Sequence, residues 1–125
     1  MSESSIQRAI RVRLSQLRKP FFRYQCGTYL ASDGSFVHIG EKGVSDLIGM
    51  TPYVVKPEDV GRTIAVFTAL EVKTAKGAIR KEQAPFLRMV NSHGGLGAIV
   101  RSAEDAEAVT TEMWKCELVK KYTEI

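Results

Sequence analysis

The stretch that most constrains this chain is Thr63 to Thr74, where Ile64, Ala65, Val66, Phe67, Ala69, Leu70 and Val72 follow one another with little polar interruption. Neither face of such a run is clearly wet, which predicts a central strand covered on both sides. The run ends in Glu71 and Lys73, which, two residues apart, share one face of that strand. Taking an ionised carboxylate or ammonium out of water is costly unless the group is paired or bound to a metal. Charges at the end of an apolar strand therefore mark a candidate site. The plain alternative is an exposed Glu/Lys pair, and the continuous apolar character argues against it.

A second carboxylate stands in a comparable setting upstream. In Gly43-Val44-Ser45-Asp46-Leu47-Ile48-Gly49, Asp46 alternates with Val44 and Ile48 on one face of a short predicted strand. Two carboxylates can hold a hard cation through oxygen ligands, and the cation lowers the pKa of a bound water. A nearby lysine can orient that water or stabilise charge building on a phosphate. The chemistry that fits is metal-dependent phosphodiester hydrolysis. His38 and His93 are too few and too separated for a histidine metal site.

Length and composition bound the rest. A chain of 125 residues supports one core of ordinary size, so residues 1–125 are expected to form a single domain. Apolar residues at 44% and charged residues at 26% exclude a disordered chain. No apolar run reaches the roughly 18 residues of a membrane span. Met1-Ser2-Glu3-Ser4-Ser5 carries neither a basic leader nor an apolar core, so a cytoplasmic location is expected, with no membrane partner and no organic cofactor. Cys26 and Cys116 are isolated thiols, expected to be reduced packing residues. The net charge of +4 is uneven: residues 1–24 hold Arg8, Arg11, Arg13, Arg18, Lys19 and Arg23 against Glu3 alone, while the remainder has twelve basic against thirteen acidic residues. Such a basic face either neutralises phosphates or is simply solvated.

In chain order, residues 3 to about 18 predict a first helix with an early serine as N-cap and a buried stripe of Glu3, Gln7, Ile10, Leu14 and Leu17. Glu3 there either complements the helix dipole or, with Gln7, faces the site. Pro20 ends the helix, and Phe21 to Tyr29 predicts a strand with Phe22, Tyr24 and Cys26 on one face. Ser32-Asp33-Gly34-Ser35 is hairpin chemistry leading into a strand over Phe36 to Ile39. Thr51 to Arg62, with Pro52 and Pro57, predicts an irregular surface connection. Beyond the apolar strand, Pro85 fits only a first helical turn and sets a helix start near Lys81, with Gln83 in that turn. Free amides there, with Lys76, Arg80 and Lys81, suit a phosphate. Asn91-Ser92-His93-Gly94-Gly95 closes the helix, and His93 is explained by the negative dipole end. Ala98-Ile99-Val100 predicts a buried strand, Ser102 caps a third helix, and Met113 to Val119 forms a short helix or strand.

The spacing Asp46-(24 residues)-Glu71-x-Lys73 resembles the PD-(D/E)xK nuclease signature. The ordered set of Glu3-x-x-Ile6-Gln7, Gly43-Val44-Ser45-Asp46-Leu47, Glu71-Val72-Lys73, and Gln83 before Gly94-Gly95 is similar to the VRR-NUC, or virus-type replication-repair nuclease, family. Ser45 departs from the proline common before the aspartate, and segment 51–62 looks like an insertion. The resemblance implies an α/β restriction-endonuclease-like core of αβββαβ topology, with a mixed central sheet flanked by helices. It implies Glu3, Asp46, Glu71, Lys73 and Gln83 as active-site positions, with the Val72 carbonyl offered to Mg²⁺ or Mn²⁺ beside Asp46 and Glu71. It also implies DNA as partner, with Arg8, Arg11, Lys76, Arg80 and Lys81 as candidate phosphate contacts. Small stand-alone members are similar to Holliday-junction resolvases, so a homodimer acting on branched or four-way DNA is expected, with Phe21, Phe22, Tyr24 and the Trp114 region as candidate interface. A non-cleaving nucleic-acid-binding module on this fold and an RNA nuclease are the alternatives. Intact Glu71-x-Lys73 favours the enzyme.

Overall fold

Ser2 starts the first helix by taking the Ser5 amide on its side chain, and α1 runs Glu3–Gln16 before Arg18 turns into the left-handed region and Pro20 stops it. The computed structural model describes residues 2–25 and 27–123, so Cys26 lies outside the described residues. After α1 come β1 (Phe21–Arg23), β2 (Gly27–Leu30), β3 (Phe36–Ile39), β4 (Leu47–Gly49), β5 (Thr68–Val72), α2 (Gln83–Ser92), β6 (Leu96–Val100), α3 (Ala103–Glu112) and α4 (Glu117–Lys120). One-turn 3-10 helices occupy Pro57–Asp59 and Met113–Lys115. This is a mixed α/β chain, and it divides into two compact units, Met1–Thr51 and Pro52–Ile125. Among the described residues, no helix is long and apolar enough to cross a membrane.

In the first unit, the strand expected over Phe21 to Tyr29 is two strands with different partners. β1 pairs antiparallel with β4, and β2 pairs antiparallel with β3. Tyr24 extends the first pairing by one bond, its amide donating to the Asp46 carbonyl at 2.8 Å, while its hydroxyl accepts the Glu41 amide at 2.6 Å. The β2–β3 turn forms as the sequence predicts: Asp33 takes the Ser35 hydroxyl and amide, and those bonds, led by the hydroxyl, hold its carboxyl below the ordinary carboxylate value. The expected buried stripe of α1 is corrected: Gln7 and Leu14 are half-buried, and Glu3, Ile10 and Leu17 are exposed. Within its unit the helix packs chiefly on the three-residue β1, which is too small to cover a stripe of four turns.

The second unit is arranged around β6, whose five residues are all buried. Leu96, Ala98 and Val100 face Val109, Cys116 and Val119, while Ile99 on the other face meets Leu87 and Tyr122. Cys116 is thus a packing thiol, as expected. β5 lies parallel to β6, with Glu71 opposite Ile99 and Val72 opposite Val100. The central strand expected over Thr63 to Thr74 shrinks to Thr68–Val72 because its partner offers only five residues; the Phe67 carbonyl and the Lys73 amide extend the ladder by one bond at each end. Coverage on both faces is corrected too. Ala69 packs toward α2, but Thr68, Leu70 and Val72 are exposed, because the residues behind β6 do not extend over its neighbour. In place of the single mixed sheet expected, the described residues pair two by two, β1 with β4 and β2 with β3 in the first unit and β5 with β6 in the second.

α2 approaches β6 so closely that a Cβ at Gly97 would stand 2.8 Å from the Leu87 carbonyl oxygen, so only glycine fits there. Gly94, at φ +92, ends the helix as the sequence predicts, with His93 as C-cap and its Nδ1 2.8 Å from the Met89 carbonyl oxygen. The C-terminal stretch resolves into helix and is tied down by Asn91. Its Oδ1 accepts the Gly97 amide at 2.6 Å, while Nδ2 faces the carbonyls of Gly97, Val119 and Tyr122 at 3.0, 3.3 and 3.1 Å. Two amide hydrogens serve three carbonyls, so one bond is shared.

Asn91→Leu strips those backbone groups of their partner at once. It is expected to cost about 2–3 kcal/mol, read as a lower urea midpoint at unchanged slope, since unpaired part-buried polar groups carry penalties of that order.

Candidate active site

Parity in β5 places Ala69 and Glu71 on the face that α2 covers, and Lys73 continues the row because its amide still donates to the Val100 carbonyl at 3.0 Å. The Glu71 side chain is 34% exposed and that of Lys73 is 13% exposed. The Lys73 Nζ stands 3.7 Å from Glu71 Oε1, within ion-pair range but beyond a hydrogen bond. Gln83, the first residue of α2, donates from Nε2 to the same Oε1 at 2.6 Å.

The orientation of Gln83 is determined by its surroundings. The Arg80 amide donates to Gln83 Oε1 at 2.8 Å, so the carboxamide oxygen must point there and its nitrogen toward Glu71. Gln83 stands in the turn where the sequence predicts it, and its partner there is the Glu71 carboxylate. Both interactions with Glu71 fall on Oε1, so neither uses Oε2. The helix itself begins at Gln83, two residues after the expected start, with Pro85 in its first turn.

The remaining predicted positions are placed as follows. Val72 turns its side chain, 74% exposed, to the face opposite Glu71. Lys76, Arg80 and Lys81 are all exposed on the segment that leads from β5 to α2. Arg8 and Arg11 are exposed on α1, and Glu3 opens that helix, also exposed. Asp46 is exposed and lies one residue before β4 rather than within it, although its carbonyl takes the Tyr24 amide and so continues the β1–β4 pairing. The structure therefore brings Glu71, Lys73 and Gln83 together in the second unit, while Glu3 and Asp46 belong to the first. Within each unit, no three His, Cys, Asp or Glu side chains among the described residues gather as a metal-ligand set. In the connection that was expected to be irregular, Asp59 takes the Lys56 amide and the Arg62 guanidinium at 3.0 Å each. With the Tyr53 hydroxyl these bonds, led by the Lys56 amide, hold its carboxyl below the usual range. One residue left unassigned from the sequence, Arg101, reaches the turn after Lys73; the signal for it is the parallel register that sets Val100 beside Val72.

Compared with known families, residues 2–104 match the VRR-NUC domain. No curated protein and no solved structure matches the chain.

Gln83→Leu removes both the charge-assisted bond to Glu71 and the acceptor for the Arg80 amide. The variant is expected to lose about 1–2 kcal/mol in urea unfolding, with the Arg80 amide exchanging faster than in the parent.

Proposed function

The chain belongs to the VRR-NUC family, the virus-type replication-repair nucleases, and from that premise we propose that it is a Mg²⁺- or Mn²⁺-dependent endonuclease acting on DNA. The observation that carries the reading is Glu71, a half-buried carboxylate steadied by Gln83 at 2.6 Å with the Lys73 ammonium beside it. In the proposed site, Asp46, Glu71 and the Val72 carbonyl would hold the cation, and Glu3 would assist directly or through water. All of these donors are oxygens, the chemistry that suits a hard divalent ion. When bound, the cation supplies Lewis acidity and a water of lowered pKa. Lys73 would orient that water, while Gln83 holds the Glu71 carboxylate through its 2.6 Å bond. A lysine kept 13% exposed next to a carboxylate has little use in a module that has stopped cleaving.

The order of a first helix, strands ending in β5, then α2 and β6, with the family match over residues 2–104, is what supports reading a PD-(D/E)xK core here; we take residues 1–125 as one such nuclease domain. Exposed Lys76, Arg80 and Lys81, directly after Lys73, suit the phosphates of the strand to be cut, and Arg8 and Arg11 suit more distant ones. A small domain has little surface for reading bases, which favours recognition of DNA shape. A homodimer would present two sites to a branched or four-way junction.

Asp46→Asn, Glu71→Gln and Lys73→Ala are each expected to lower Mn²⁺-supported cleavage of plasmid by about 10²-fold or more with the fold retained by circular dichroism. Undiminished cleavage by a purified variant would remove that residue from the site. Replacing Arg8 and Arg11, or Lys76 and Lys81, by Gln should weaken DNA binding without sequence bias and flatten its salt dependence by about one unit for each phosphate no longer neutralised. Light scattering should report a dimer, and four-way or flapped DNA should be cut in preference to linear duplex. A monomer that cuts both equally would refute the assembly reading.

A further inference from the structure

The turn that follows Lys73 is held from outside by one side chain. Arg101 comes directly after β6, and its Nη1 lies 2.6 Å from the Thr74 carbonyl oxygen, 3.1 Å from that of Gly77 and 3.4 Å from that of Ala75. Two N–H bonds serve three carbonyls, and Ala75 is the weak member. The turn also closes on itself through the Gly77 amide, which donates to the Thr74 carbonyl at 3.0 Å. The turn folds back beside the lysine: a Cβ added at Gly77 would stand 3.0 Å from Thr74 Oγ1 and 3.4 Å from the Lys73 Cβ. Arg101 is fixed in turn by its own amide, which donates to Asp105 Oδ2 at 2.9 Å in the first turn of α3.

We propose that Arg101 is a positioning residue for Lys73: by gathering the carbonyls of Thr74, Ala75 and Gly77 it fixes the turn that sets where the lysine side chain leaves β5. The proposal rests on reading Lys73 as the lysine of the nuclease site. The obvious competing role for an exposed arginine here is a phosphate contact. The geometry argues against it, because Nη1 is already committed to backbone oxygens. Misplacement of a catalytic group by about 1 Å can cost on the order of 10²-fold in rate without touching substrate affinity. The two roles therefore separate in kinetics.

The test uses the full chain and three variants: Arg101→Met, which removes the donors; Arg101→Lys, which keeps a cation with three N–H bonds; and Gly77→Ala, which disturbs the same turn without touching Arg101. Gly77 does not have a positive φ, so alanine is tolerated by its backbone. For Arg101→Met and Gly77→Ala, kcat for Mn²⁺-supported cleavage of a branched oligonucleotide is expected to fall about 10- to 100-fold, with KM and the salt dependence of DNA binding unchanged. In Arg101→Met the amides at positions 73 and 77 should exchange at least about tenfold faster while those of β6 keep their protection. Arg101→Lys should recover part of both losses. Unchanged kcat with unchanged exchange at position 77 would overturn the proposal, as would a raised KM with a flatter salt dependence, the signature of a phosphate contact. If Arg101→Met does not fold, Gly77→Ala and Arg101→Lys decide by the same readouts. Absence of any cleavage by the parent protein would instead sink the nuclease reading, and amide exchange would still decide whether Arg101 holds the turn.

Discussion

Five residues of parallel pairing between β5 and β6 fix nearly everything that the second unit presents. Parallel strands cannot be joined by a tight turn, so the chain must leave the end of β5, cross over, and return to the start of β6. That crossover is α2, which necessarily begins on the side where β5 ends. Glu71 and Lys73 close the strand and Gln83 opens the helix, so the 12-position separation of Glu71 and Gln83 in sequence collapses to a 2.6 Å hydrogen bond. Outside the carboxyl ends of strands is also where open α/β arrangements place their ligands. The basic residues Lys76, Arg80 and Lys81 occupy that same end because they are the crossover's first leg.

The pairing also explains which features could be read from the sequence. Local chemistry was legible wherever one residue decides the backbone: Ser2 and Ser102 cap helices, Pro85 marks a first turn, and Gly94 stops α2. Parity was legible as well, since Glu71 and Lys73 share a face whatever length the strand has. The length itself was not. Ile64 to Phe67 are as apolar as the residues after them, but a strand extends only as far as its partner, and β6 stops at five. The same limit exposes Leu70 and Val72, which apolar character alone would have buried. For α1 the pattern predicts the helix and its cap correctly and its burial wrongly, because a stripe records what a helix can cover and not the size of the surface it meets.

Within the site, the participants were legible in the sequence and their pairing was not. Gln83 was legible as a position and not as a partner, since spacing cannot name the partner of an amide in the first turn of a helix. Its actual assignment is set by a backbone group, the Arg80 amide, which claims Oε1 and leaves only donors for Glu71. The consequence is a division of labour at one carboxylate oxygen. The neutral amide holds it at hydrogen-bond distance, while the lysine stands off at 3.7 Å and contributes charge without being tied down.

The two residues hardest to find beforehand, Asn91 and Arg101, do the same physical job at opposite ends of β6. Each turns a single nitrogen toward three backbone carbonyls: Asn91 gathers those of Gly97, Val119 and Tyr122, and Arg101 those of Thr74, Ala75 and Gly77. Carbonyls at the ends of these elements and in the turn after β5 have bonding capacity that the strand ladder does not use. A side chain with convergent donors uses that capacity locally. For Arg101 this gives an exposed arginine a structural task. A tally of basic residues treats it as one more cation for phosphate, yet its Nη1 is already engaged with backbone oxygen beside Lys73. Lys76, Arg80 and Lys81 are exposed on the leg from β5 to α2, and Arg101 braces the turn that carries the first of them.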